Sequence, residues 1–401
     1  MSLAKFRFDR VAAIAAAAIL FACAYIAFVN RFGFVIPMLP EGMFWDSAVF
    51  AAAGEQVSQG INPYFEPVID FPFTLPFISA PQVAAGLAGL SSILGPALFP
   101  LLALCHIAAL LITPLLLTRL FLGKSWQEAL LGYGLVACFL AAAGVTAIVA
   151  GNFGMFLYLA IFAAMIPGLR DRKWIWFHIA VAVAVQIKPP YGLLWIIPVL
   201  ANGWSWKQFQ HAAIAAAAST IPYAAAFVID RPFFDDWLGS LARQVGFGDH
   251  GDAPYGAVIN LDPGLQNGPV PMLVHVAVCL PLLIFLMLDR TRGMRKVAAL
   301  VAFAILANPR LKEYDLAFAT IPVAGLYLSL LLKDVQATTG FNYVRNRAIG
   351  IALLVALSVF MLRADRIPLI GPFMYSIVII GAILTLAYRP RSDAAKTPAS
   401  A

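Results

Sequence analysis

Long apolar runs separated by short polar turns set the pattern of this chain. They fall near residues 11–29, 96–118, 126–143, 150–168, 174–187, 191–201, 206–229, 269–289, 297–309, 316–332, 348–363 and 367–388. A straight crossing of a bilayer takes about 20 apolar residues. With each run counted as one crossing, the pattern predicts an all-α polytopic membrane protein of about twelve transmembrane helices, both ends on one side. Several runs are too short to cross straight. The pairs 174–187/191–201 and 297–309/316–332 are therefore expected to meet at broken points within the membrane thickness. A further apolar stretch, about 76–93, is punctuated by Pro72, Pro76 and Pro81 and suits a short re-entrant or surface helix better than a span.

Composition points the same way. Hydrophobic residues make up 62% of the 401 residues and charged residues only 12%, with a mean hydropathy of +0.86. A soluble chain of this length exposes far more Lys and Glu. Residues 1–390 read as a single integral membrane domain, and 391–401 as a short polar cytoplasmic tail. The first apolar run follows Lys5, Arg7 and Arg10. It is long for a signal-peptide core and is read as a membrane anchor. Cys23, Cys105, Cys138 and Cys279 all lie inside apolar runs without C-x-x-C spacing, so they read as small buried hydrophobes.

Charge then orients the spans. The chain carries 27 Lys and Arg against 20 Asp and Glu, and 19 of those 27 cations fall on the side of the N-terminus. This bias puts both termini in the cytoplasm. It also gives the basic excess a topological reason, so nucleic acid is not an expected partner. Acidic residues divide the other way, six inside and fourteen outside, mostly in two outer loops at 30–75 and 230–268. The second loop, rich in Gly, Pro and Asp, reads as too irregular to lie in lipid. Chemistry is therefore sought on the outer face.

Two features stand out there. Asp46 opens a segment with Val49, Phe50, Ala53 and Val57 at helical spacing, closed by Gly60 and followed by Pro63. These positions predict an amphipathic helix on the outer surface. Asp46 could simply cap that helix. Next to Phe44 and Trp45, at the aromatic-rich interface, it could instead act as a general base towards a hydroxyl held at the membrane surface. The second feature is cationic. Lys188 lies in "VQIKPPYGLL" and Arg310 and Lys312 in "ANPRLKEYDL", at the two broken points. Lys188 could snorkel to the headgroups, and Arg310 and Lys312 could pair locally with Glu313 and Asp315. Together the three suggest a pocket for a phosphate entering from the bilayer.

Other chemistries find little support. Asp249, His250 and Asp252 in "GDHGD" lack a second histidine and helical spacing, and read as a solvated acidic loop; no metal site and no cofactor are expected. His106, His178, His211 and His275 are each isolated. Neither a Gly-rich phosphate loop nor a G-x-S-x-G elbow occurs, against nucleotide hydrolysis and hydrolase chemistry.

In order and spacing these motifs resemble the GT-C superfamily of membrane glycosyltransferases, and in particular glycosyltransferase family 87, which includes polyprenol-phosphate-mannose-dependent mannosyltransferases. The resemblance rests on Asp46, the Ala-rich "SAVFAAAGEQVSQ" and Gly60-Ile61-Asn62-Pro63-Tyr64. It continues through "FPFTLPFISAP", Gly151-Asn152, the Lys188-Pro189 turn and the late turn "NPRLKEYD", over roughly residues 40–325. It implies a GT-C-like fold with an outer-face interfacial helix and a long outer loop. The implied activity is that of an inverting, metal-independent hexosyltransferase. Such an enzyme moves mannose or another hexose from a polyprenyl-phosphate donor to a lipid-linked or glycan acceptor, on the outer face of a bacterial inner membrane. Asp46 carries over as the catalytic base and Lys188, Arg310 and Lys312 as donor-phosphate ligands, with Tyr64, Asn152 and Tyr314 on the substrates. Where many members have a histidine in the late turn, this chain has Lys312, Glu313, Tyr314 and Asp315. The competing reading is a transporter or lipid flippase, for which broken helices and intramembrane cations also serve. The flanks of the two breaks show no convincing internal similarity, and a non-catalytic scaffold is the third possibility.

Overall fold

The computed structural model describes residues 44–65, 68–70, 74–122, 150–246, 251, 253–311, 315 and 373–387. Its helices are α1 (Trp45–Ser58), α2 (Pro81–Leu94), α3 (Leu98–Leu122), α4 (Gly154–Asp171), α5 (Ile175–Ile187), α6 (Ile196–Leu200) and α7 (Trp206–Ser219). They continue as α8 (Ile221–Ile229), α9 (Arg231–Gly246), α10 (Pro254–Leu261), α11 (Val270–Leu288), α12 (Met294–Leu306) and α13 (Met374–Ala387). Two strands of two residues each, Ile69–Asp70 and Thr74–Leu75, pair antiparallel ahead of α2. Among the described residues the regular structure is otherwise helical, and the long apolar helices make this a membrane protein. Among the described residues, Pro81–Ala109, Gly154–Asp171, Trp206–Ile229 and Val270–Leu288 are each long and apolar enough to cross a bilayer. The expected spans at 11–29, 126–143, 316–332 and 348–363 lie outside the described residues.

The stretch set apart as a surface helix differs from expectation. It forms α2, with Pro81 at its first turn, and Gly95 (φ 52°) and a turn of 3-10 helix at Gly95–Ala97 separate it from α3. Its apolar sequence nevertheless runs on into α3, so that Pro81–Ala109 counts as a candidate crossing.

The segment 230–268, expected as an irregular loop, also differs, being helical over α9 and α10. Asp230 begins α9 by accepting the Phe233 amide at 3.1 Å. Phe233, Phe234, Trp237 and Leu241 then recur at helical spacing and pack with Val49 and Ala53 of α1, with Tyr64 and Phe77, and with Leu87 of α2. Polar contacts pin the same face: Asn62 donates to Asp236 at 2.8 Å, Trp237 to the Ile78 carbonyl at 3.0 Å and Arg243 to the Tyr64 carbonyl at 2.6 Å. Local Gly, Pro and Asp content had suggested irregular chain, but the apolar stripe decides the outcome.

The main core joins α4, α5, α6, α11, α12 and α13. α12 is buried on every side from Lys296 to Leu306, as befits a helix apolar all round. The buried charge at its start, Lys296, is neutralised locally. Lys296 donates to the Leu286 carbonyl, to the Asp289 carbonyl at 3.0 Å and to the Asp289 carboxylate at 3.2 Å, capping the end of α11.

The break at Lys188 appears where the sequence predicts it. The residue before a proline avoids the helical region, and Lys188 is extended (φ −134°, ψ 93°). Pro189–Trp195 then run as a 3-10 helix into α6. A helix end in apolar surroundings must have its carbonyls satisfied by protein. The Tyr223 hydroxyl does this at 2.8 Å from the Val185 carbonyl and 3.3 Å from that of Gln186. At the second break, the His275 ring meets the Ala307 carbonyl at 3.1 Å, just past α12.

Candidate functional site

Four separate segments bring their polar groups to one place. α1 starts from Phe44, whose backbone is left-handed (φ 66°), an uncommon state for a bulky residue. Phe44 is held there by edge contact with the ring of His106 at 5.4 Å. The helix is tied to the residues just before α4 at three points. Ser47 donates to the Gly151 carbonyl at 2.9 Å, Phe50 stacks on Phe153 at 4.2 Å, and Asn152 donates through Nδ2 to the Asp46 carboxylate.

Asp46 is the second residue of α1, whose N-cap is Phe44. Its carboxylate turns to Asn152, whose amide faces two ways. Nδ2 serves Asp46, while Oδ1 accepts the Lys188 ammonium at 2.6 Å and the Gly154 amide at 2.8 Å. That donor–acceptor pattern fixes the amide orientation, because a flipped amide would face donors with donors. One buried side chain thus separates an acid from a cation.

Beyond Lys188 stands an acid that sequence reasoning gave only a local role. Asp315, 3% exposed, lies 3.9 Å from the Lys188 ammonium and accepts from the Tyr191 hydroxyl at 3.3 Å. Tyr191 packs in turn on Tyr158 of α4, ring centroids 4.7 Å apart. Lys188 and Asp315 come from the two broken points, so their pairing joins the two interruptions. Gly154 makes room for the convergence: a Cβ there would lie 2.6 Å from the Tyr191 hydroxyl, 2.7 Å from Asn152 Oδ1 and 3.2 Å from the Lys188 ammonium. The structure joins Asp46, Asn152, Lys188 and Asp315, which come from four separate stretches of the chain.

The other candidate residues fare differently. Arg310 lies in the late turn, half-buried, its backbone N–H donating to Asn308 Oδ1 at 3.1 Å. Lys312 and Tyr314 lie outside the described residues, as do Asp249, His250 and Asp252. Tyr64 is engaged structurally. It is 2% exposed, its hydroxyl donates to the Ser79 carbonyl at 2.8 Å, and burial pushes its phenol well above the ordinary range. Its backbone N–H goes to Asn62 Oδ1 at 3.0 Å and its carbonyl to Arg243. These contacts clamp the chain around Tyr64 to Ser79 and to α9.

Asp315, Tyr191 and Tyr158 had no functional place in the sequence reading. One signal for Tyr191 was present: three residues after Lys188, one turn of the 3-10 helix that the double proline imposes. Asp315 carried no such signal, since its partner is 127 positions away in the chain.

No family model, no curated protein and no solved structure matches this chain.

Proposed function

We propose that this protein is a membrane glycosyltransferase that moves a sugar from a polyprenyl-phosphate donor to a lipid-linked or glycan acceptor at the outer membrane face. Mannose or another hexose is the sugar that the family resemblance favours. The observation that supports the reading best is the single amide of Asn152, which holds the Asp46 carboxylate and the Lys188 ammonium as its two neighbours.

In this mechanism the acceptor hydroxyl oxygen bonds to the anomeric carbon and its proton passes to Asp46. The bond from that carbon to the phosphate oxygen breaks, and its electron pair leaves with the polyprenyl phosphate. Lys188, with Arg310 and Lys312, stabilises the charge on the departing phosphate, a task that protein cations perform in a water-poor site. Holding donor and acceptor at one surface lowers the entropic part of the barrier.

Asn152 acts as a positioning residue. Asn152→Ala is expected to lower transfer by about tenfold to a hundredfold, the scale of a misplaced reacting group. Combined with Asp46→Asn it should add little, because both changes disable one unit. Rates of label transfer in the two single variants and the double variant check this, and fully multiplicative losses would separate the two residues.

The decisive experiment incubates membranes containing the protein with labelled polyprenyl-phosphate sugars and follows the label. It is expected to reach a lipid-linked or glycan acceptor. The Lys188–Asp315 pair across two interrupted helices also suits a transporter. Solute uptake with no label leaving the donor would decide for that reading.

A further inference from the structure

Two polar contacts of Lys188, whose ammonium also lies 5.9 Å from the centre of the Tyr191 ring, differ in length. The Asn152 oxygen lies at 2.6 Å, a tight charge-assisted contact, whereas the Asp315 carboxylate lies at 3.9 Å. The two ends of the ion pair also differ in exposure: the Lys188 side chain is 24% exposed and that of Asp315 only 4%. An incoming anion therefore reaches the partly exposed ammonium more readily than it reaches the buried carboxylate. Asp315 is anchored in its place by the Tyr191 hydroxyl at 3.3 Å. A fixed carboxylate beside a cation attracts the cation and repels an anion that comes to it.

We infer that Asp315 is a positioning residue that sets how tightly Lys188 holds a phosphate monoester, the ammonium exchanging the loose carboxylate contact for the phosphate and returning to it on release. This rests on the proposed function in taking Lys188 as a phosphate ligand and in naming the monoester as isoprenyl phosphate. A site that must discharge a phosphate after each cycle gains from such a competitor, because an unopposed cation would retain its product. The geometry gives the competitor its position: Lys188 stays bridged to Asn152 throughout, so exchange at the other side does not disconnect Asp46.

The test measures binding without turnover. Purified full-length protein in lipid nanodiscs is titrated with farnesyl phosphate, with a short-chain phosphatidic acid and with inorganic phosphate, by calorimetry. Farnesyl phosphate should bind and Lys188→Met should abolish that binding. Asp315→Asn, which removes the charge and keeps the shape, should tighten it about tenfold, a factor set by the loss of one like charge a few ångströms from the phosphate. Asp315→Glu should return it towards the wild-type value. Tyr191→Phe provides the opposite sign: without the hydroxyl, the carboxylate's negative charge is stabilised less and pulls more on Lys188, so phosphate binding should weaken severalfold. That variant decides the matter if Asp315→Asn does not fold. Unchanged or weaker binding in Asp315→Asn, or unchanged binding in Tyr191→Phe, overturns the inference. Preference for phosphatidic acid over farnesyl phosphate would identify a lipid headgroup as the ligand, and equal binding of inorganic phosphate would identify the free ion. If phosphate binding follows these variants but no sugar is ever transferred, the exchange stands and the glycosyltransferase reading falls.

Discussion

Asp46→Asn is expected to lower sugar transfer by about 10²- to 10⁴-fold, the usual contribution of a positioned general base, and to leave insertion and folding intact. The substitution preserves shape, and an asparagine oxygen at position 46 can still accept the Nδ2 proton of Asn152, so the tie between α1 and the residues before α4 survives. What is lost is the capacity to take a proton. A second, smaller loss comes from removing a negative charge in the first turn of α1, worth about 0.3–1 kcal/mol. That is too small to unfold a packed helix whose Val49 and Ala53 are buried. Rates of label transfer and a thermal melt on the same preparations separate the two effects. Near-normal transfer by the variant would remove Asp46 from the chemistry, whereas a lowered melting temperature with proportionate loss of activity would make it a structural residue.

How much of this was legible beforehand depends on how local the determining interaction is. The break at Lys188 could be read from its neighbours, because Pro189 and Pro190 act on the backbone next to them and the flanking apolar runs are too short to cross alone. The start and end of α1 were equally local, with Gly60 and Pro63 closing the helix that Asp46 opens. α9 was hidden for the opposite reason. Its glycine and aspartates dominate composition, yet Phe233, Phe234, Trp237 and Leu241 already repeat as a helical stripe, and Asp230 with Pro232 marks a helix start. Reading the stripe before the composition would have found it. The partnership of Asn152 with both Asp46 and Lys188 was beyond any local signal, since the three lie 106 and 36 positions apart. Sequence resemblance singled out Gly151-Asn152 without giving the amide its bridging place. Asp315 shows the same limit: beside Arg310 and Lys312 it reads as a local ion-pair partner, and only the fold carries it to Lys188.

Gly151→Ala is expected to lower both stability and sugar transfer. Gly151 has φ 61°, in the left-handed region, where an alanine costs about 1–2 kcal/mol. The added carbon would also lie 2.6 Å from the Phe44 Cα and 2.7 Å from its Cβ. Those atoms belong to or adjoin a backbone that is itself left-handed and starts α1, so they cannot swing aside as the tip of a long side chain could. Overpacking of this kind adds about 1–3 kcal/mol, a combined loss on the order of 2–5 kcal/mol against the 5–15 kcal/mol that holds a typical domain together. Functional damage should exceed the stability loss, because relief of the clash moves α1 away from the chain before α4. That motion breaks the Ser47–Gly151 hydrogen bond and draws Asp46 off Asn152. The variant is expected to melt well below wild type and to transfer sugar poorly even at temperatures where it is folded. Farnesyl phosphate binding at Lys188 should be retained there, since Lys188 keeps Asn152 Oδ1 and Asp315 as partners. Loss of transfer together with loss of phosphate binding would mean that the whole cluster collapses with the loop, and that α1 does not move as a separate arm.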